Sequence, residues 1–385
     1  MPFQCAPEAS AQAHNIALVK RRRVREKSSR QVVHESFQHI SKNIHPLYPF
    51  LDRQQIGSTA LGPELERKLG SDSAWSVLFY AILALESQYC NGGSFQPANN
   101  VAWRLFSTAV ALFPDLFITR TTLTIVQTIT AMTIFASNVS CMQLKYTLVS
   151  EGVRKSQTLR YDRLSAPGHD ARNRTFWVLF CLEKTVTFMM TKSSSIMDSD
   201  ICSTAPKLVE MAPSKQSSTF FLAWIRLSRL LSRIYASLHS VSVRARSVYY
   251  FKSTINHLKN ELENWRKSIP ALYRPTSPIR GHDFQLAQRM SMCVRLHYGY
   301  HNIMLHLNRA NLQLQHPDDN PEDIISDIMP HYGILNLSRI LVAVPLAAFF
   351  VRFDLVVDNP THPATSSNLA LLDVGAGHFS RIEYA

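Results

Sequence analysis

His297 and His301 stand four positions apart in "RLHYGYHNIMLHLNR", with His306 five further on. On a helix that spacing puts two imidazoles on one face, where they could ligate a metal ion. The residue after His297 is Tyr298, so the glutamate that serves as general base in an H-E-x-x-H pattern is missing. Histidines beside aromatics on a packed helix are more often core residues, and that reading is preferred. Asp198 and Asp200, in "TKSSSIMDSDI", could share a metal or divide acid and base roles. A loop after a helix, with polar side chains bonding the local backbone, accounts for them better. Asp318, Asp319, Glu322 and Asp323 surround Pro321 and suit the start of a helix.

A second kind of chemistry is electrostatic. Residues 19–30 read "VKRRRVREKSSR", in which Lys20, Arg21, Arg22, Arg23, Arg25, Lys27 and Arg30 oppose only Glu26. The run carries +6 of a net charge of +13. The excess spread over the remaining chain is mild and requires no nucleic-acid partner. By composition the run serves nuclear import, non-specific phosphate contact, or nothing beyond a solvated tail.

Other chemistries lack their residues. Cys5, Cys90, Cys141, Cys181, Cys202 and Cys293 include no C-x-x-C pair, so they make no zinc site and read mostly as small buried hydrophobes. No phosphate-cradling G-x-x-x-x-G-K-[ST] or G-x-G-x-x-G loop is present, and no G-x-S-x-G elbow. With 12 glycines in 385 residues, few tight anion-binding turns are available. No enzyme activity is expected. The N-terminus lacks the pattern of a secretory signal, and the longest apolar run, 340–351, falls short of the roughly 20 residues a membrane span needs. A soluble intracellular protein without a membrane partner is expected.

The elements that would position these residues are helical. Residues 75–90 predict a buried helix ended by "NGGS"; 101–113 predict another, stopped by Pro114. Further helices are predicted over 123–135, 140–160 and 176–190, the last apolar on all sides and so central. Trp224, Leu227, Leu231, Ile234, Leu238 and Val241 recur at intervals of three and four and predict one buried stripe. Ile255, Leu258, Leu262 and Trp265 repeat the device. Each stripe is too short for a coiled-coil seam, so an intramolecular helix pair is expected. Strand-like alternation is nearly absent. The expected fold is all-α: a basic, disordered tail or linker over 1–30, then one large multi-helix domain over 31–385.

Four stretches, read in order, resemble the middle homology region of fungal-specific transcription factors. "HISKNIHPLYPFLDRQQI" (39–56) is similar to the family's opening segment. "TFWVLFCLEKTVTFMMTKSSSIMDSDI" (175–201) resembles its central Trp-bearing helix and the loop with an Ile-x-Asp-x-Asp-Ile ending. Residues 294–309 and 340–381 resemble the His-Tyr-rich helix and the closing helix pair. In the loop the family's usual Gly-Arg is replaced by Thr191-Lys192. The family's N-terminal six-cysteine, two-zinc cluster is absent from this sequence, either lost or encoded in an upstream exon.

The resemblance implies a nuclear regulator of transcription, and it assigns Asp198 and Asp200 a structural role. It implies DNA as a partner, indirectly or through the missing module, and zinc only within that cluster. A homodimer, a small-molecule effector or a corepressor are the other partners it allows. A helical module that binds a ligand or partner without touching DNA is the alternative. The resemblance places the basic run in the linker before the helical region. Base reading needs positioned groups that the run lacks, so import ranks first, non-specific DNA contact second and an inert tail third.

Overall fold

The computed structural model describes residues 44–90, 101–139, 141–163, 170–203, 205–206, 215–277 and 287–312, together with 314, 369, 370, 372 and 373. The basic run at 20–30 and the acidic residues of 318–323 lie outside the described residues, as does nearly all of 340–381. Among the described residues every regular element is helical and none is a strand, so the fold is all-α. The chain divides into two compact units: one of 1–137, 143–179 and 200–206, the other of 138–142, 180–199 and 207–385.

The first unit contains α1 (Arg53–Leu61), α2 (Leu65–Ser71), α3 (Ser73–Cys90), α4 (Val101–Leu112) and α5 (Asp115–Ile118). It also holds nearly all of α6 (Leu123–Asn138) and α7 (Met142–Thr158), and the first half of α8 (Asp170–Met189). Asp72 starts α3, accepting the Trp75 backbone N–H on Oδ1 at 3.0 Å. Val77 to Leu85 are then buried without a break, as the absence of a polar stripe requires. Residues Val101–Ile118 have the length and hydropathy of a membrane span. Pro114 splits them into α4 and α5, however, and α4 buries Ala102, Phe106, Ala109 and Leu112 beside α3.

Eight of the sixteen residues of α6 are β-branched, a composition that favours strands when taken alone. Burial overrides it. Its threonines are tolerated because Thr128, Thr130 and Thr133 donate to the carbonyls of Thr124, Val126 and Ile129 at 2.8 Å each. Phe106 stacks on Phe135 at 4.1 Å, and Trp103 meets Phe135 edge-on. Gly152 lets α7 approach closely: a Cβ there would stand 3.0 Å from Leu179 and 3.1 Å from Ile129.

The second unit contains the rest of α8, then α9 (Lys215–Ile234), α10 (Val248–Lys267) and α11 (Ala287–Leu312). Both halves of α8 are buried, from Phe176 through Leu182, as its unbroken apolar character predicts. On α10 the four predicted stripe residues, Ile255, Leu258, Leu262 and Trp265, are all buried. Each contributes about 1.5–3 kcal/mol of burial. The Trp265 indole N–H donates to Ala223 O at 2.8 Å, so α9 and α10 pair within the chain.

The α9 stripe departs from expectation. Leu227, Leu231 and Ile234 are buried, but Val241 is 73% exposed and Leu238 only half-buried. The helix ends in one π turn, Tyr235–His239, closed by the Ser240 N–H to Tyr235 O at 3.0 Å. Ser240 is then extended at ψ 142°, so Val241 falls beyond the helix, in a separate 3-10 turn of Val241–Val243.

Candidate functional site

The residues with the densest polar contacts border α8, which carries the Trp-bearing motif. In the first unit, α8 and α6 hold the opening segment. Arg174 is buried and its Nε donates to Pro49 O at 2.8 Å. Thr175 Oγ1 and Gln127 Nε2 both donate to Phe50 O, at 3.0 and 2.9 Å. Three long-range bonds thus satisfy two carbonyls of the "PLYPF" segment, whose prolines cannot enter a regular ladder. Further along, the Cys202 and Ser203 N–H groups donate to Asp162 O. Ser203 Oγ donates to Asn173 Oδ1 at 2.7 Å.

In the second unit, α8 ends in a capping turn and a locked loop. The Lys192 N–H bonds Thr187 O at 2.9 Å and the Thr191 N–H bonds Phe188 O at 3.1 Å, the paired bonds of a Schellman cap. Its left-handed position is occupied by Thr191 at φ 50°, where the related motif carries glycine. Beyond the cap, Lys184 Nζ donates to Ser194 Oγ at 2.8 Å, to Ser232 Oγ at 3.0 Å and to Ile196 O. Glu183 accepts from the Ser195 N–H at 2.7 Å and from Ser194 Oγ at 2.9 Å. Burial pushes the Glu183 carboxyl up, opposed by the Lys184 ammonium and by those two donors. Ser232 Oγ donates to Asp198 Oδ1 at 3.0 Å, which ties the loop to α9.

Asp198 is therefore a fastening residue. Asp200 is exposed. The network holds the loop against α8 and α9.

His297 and His301 are both buried, with ring centroids 6.4 Å apart. Burial drives His297 down to about 4, despite a bond with the Arg274 backbone, so it is neutral at physiological pH. Among the described residues no three His, Cys, Asp and Glu side chains are placed to hold a metal ion. These two histidines are core residues, as preferred from the sequence. His306 faces a third histidine: its Nε2 lies 2.5 Å from His239 Nε2. Of the cysteines with a described environment, Cys181 and Cys293 are buried with thiols pushed up by desolvation, Cys293 to about 12. Cys141 and Cys202 are exposed, against the reading of mostly buried thiols.

This arrangement, a Trp-bearing central helix clamped to a proline-rich segment and followed by an Asp-x-Asp loop, coincides with a family match. Residues 38–267 match the fungal specific transcription factor domain. The chain belongs to that family. It is 21% identical over 368 residues to an ABC-transporter-regulating transcription factor of Aspergillus oryzae, covering 83% of this chain and 41% of that protein. A factor of the same description from Aspergillus fumigatus is 23% identical over 268 residues, 64% of this chain and 30% of that protein. The fusaridione A cluster transcription factor of Fusarium heterosporum is 22% identical over 265 residues, 65% of this chain and 49% of that protein. The chain thus spans less than half the length of these relatives. No solved structure matches it.

Sequence reasoning missed the Glu183–Lys184 network and the His239–His306 contact. The first had a signal: two adjacent charges inside "WVLFCLEKTVTF" must be paired if the helix is buried. The second had none, because its partners are 67 residues apart and one is placed by the π turn.

Proposed function

We propose that this chain is the regulatory region of a nuclear regulator of transcription, non-enzymatic, working with a module that reads DNA. The match of residues 38–267 to a transcription factor domain carries this reading. The structural use of Asp198, His297 and His301 supports it, since the residues best suited to chemistry are committed to packing. Zinc in this reading belongs to the DNA-reading cluster. The region regulates through a partner copy, a small-molecule effector or a corepressor. Two of the three relatives above are named for regulating ABC transporters, so ABC-transporter genes are the first targets to examine.

Residues 1–30 act as the linker and 31–385 as the helical region. Lys20, Arg21, Arg22, Arg23, Arg25, Lys27 and Arg30 direct nuclear import. The function is tested by fusing the chain to an unrelated DNA-binding module upstream of a reporter. Reporter output should change several-fold; unchanged output overturns the regulatory reading. Neutralising the seven basic residues in a tagged chain should abolish nuclear accumulation. Retained accumulation with lost chromatin occupancy assigns the run to phosphate contact instead.

A further inference from the structure

His239 sits in the last position of the π turn that closes α9, and His306 lies in the last two turns of α11. Their Nε2 atoms face each other at 2.5 Å, with the ring planes at 69°. One Nε2 carries the shared proton and the other accepts it, so the fold holds two imidazole nitrogens from separate elements within hydrogen-bond reach. The π turn makes this possible, and wide turns of this kind recur at functional sites. Phe188 packs against the His306 ring at 4.6 Å and the Tyr235 ring lies 6.3 Å from His239, giving the pair aromatic walls. Both rings are half-buried, so an ion can reach them.

The electrostatics select the class of ligand. Burial lowers both histidines, His306 to about 4, so protons do not compete for the nitrogens near neutral pH. Arg309 is the charged group acting on His306 from its own helix. Its repulsion disfavours a tightly held ion and points to a reversible site. Two imidazoles without a carboxylate suit zinc, copper or nickel rather than magnesium or calcium. A tetrahedral ion with metal–nitrogen distances of about 2.0–2.1 Å needs the nitrogens roughly 3.3 Å apart, which side-chain rotation supplies.

We propose that His239 and His306 form a two-imidazole site for a divalent transition metal ion, with water filling the remaining positions, that clasps the π turn to α11. The site uses two protein ligands and is separate from any zinc cluster of the family. Binding moves one ring proton from Nε2 to Nδ1 and releases none.

The test is titration of the purified chain with zinc sulfate alone, and with copper(II) followed by electron paramagnetic resonance. The wild type should bind one equivalent more than His239→Gln or His306→Gln, with affinity at that site about tenfold or more weaker in either variant. Bound copper should show hyperfine coupling to two imidazole nitrogens. Equal zinc binding by wild type and both variants overturns the proposal. If neither variant folds, wild-type copper spectra without two-nitrogen coupling overturn it on their own.

Discussion

Lys184 Nζ lies 3.3 Å from Asp198 Oδ1, with the lysine side chain 2% exposed and the aspartate 32% exposed. The pair joins the interior of α8 to the rim of the following loop. Its two ends differ energetically, because one charge has lost its water and the other has kept much of it.

Lys184→Ala should cost about 3–5 kcal/mol, since it leaves the buried Glu183 without its ammonium and removes the donor to Ser194 and Ser232. Asp198→Asn should cost about 1 kcal/mol or less, because the site is partly solvated and the amide oxygen still accepts from Ser232. Urea unfolding at neutral pH measures both. Equal losses would mean that the loop, not the buried charge, dominates.

The cap ending α8 predicts a gain rather than a loss. Thr191 holds φ 50°, a conformation that costs a residue bearing a Cβ about 1–2 kcal/mol. Thr191→Gly removes that strain but frees the unfolded chain, so the net stabilisation should be about 0.5–1 kcal/mol. Thr191→Val should not stabilise. Paired thermal melts decide between them.

These two sites show what was legible in advance. The all-α architecture and the α10 stripe followed from 3.6-residue periodicity, which depends on local spacing alone. The departure at Thr191 was legible too, because the related motif carries glycine there. The continuation of the α9 stripe to Val241 was not, since nothing in "RIYASLHSV" announces a π turn. Shared contacts such as Thr175 and Gln127 on Phe50 O join residues 125 and 77 positions apart. Periodicity carries no information on those pairings, and they emerge only once the helices are packed.

Gly152 tests the packing of the first unit. It lies inside α7, where glycine costs about 1 kcal/mol relative to alanine, and is kept for closeness to Leu179 and Ile129. Gly152→Val puts three carbons where the first already touches at 3.0 Å. It should destabilise by about 1–3 kcal/mol despite valine's better helix propensity. A variant as stable as the parent in urea would show that α7 can move away.

The buried histidines set the pH dependence. Burial holds His297 and His306 near 4 in the folded chain, whereas unfolded imidazoles titrate at their ordinary 6.5. Above pH 6.5 both states are neutral there and the two residues contribute no slope. As pH falls from 6.5 towards 4, the unfolded state gains protons that the folded state refuses, so stability drops. Each group contributes at most about 1.4 kcal/mol per pH unit in that window. Carboxylates held low, such as Glu263, lose their contributions only lower, and Glu183, raised by burial, opposes the decline rather than causing it. Urea midpoints measured there with a chelator present should decline in the wild type. They should decline less in the double variant His297→Gln/His306→Gln, which keeps only His239 among the histidines lowered here. A parallel decline in both chains would assign the acid sensitivity to other groups.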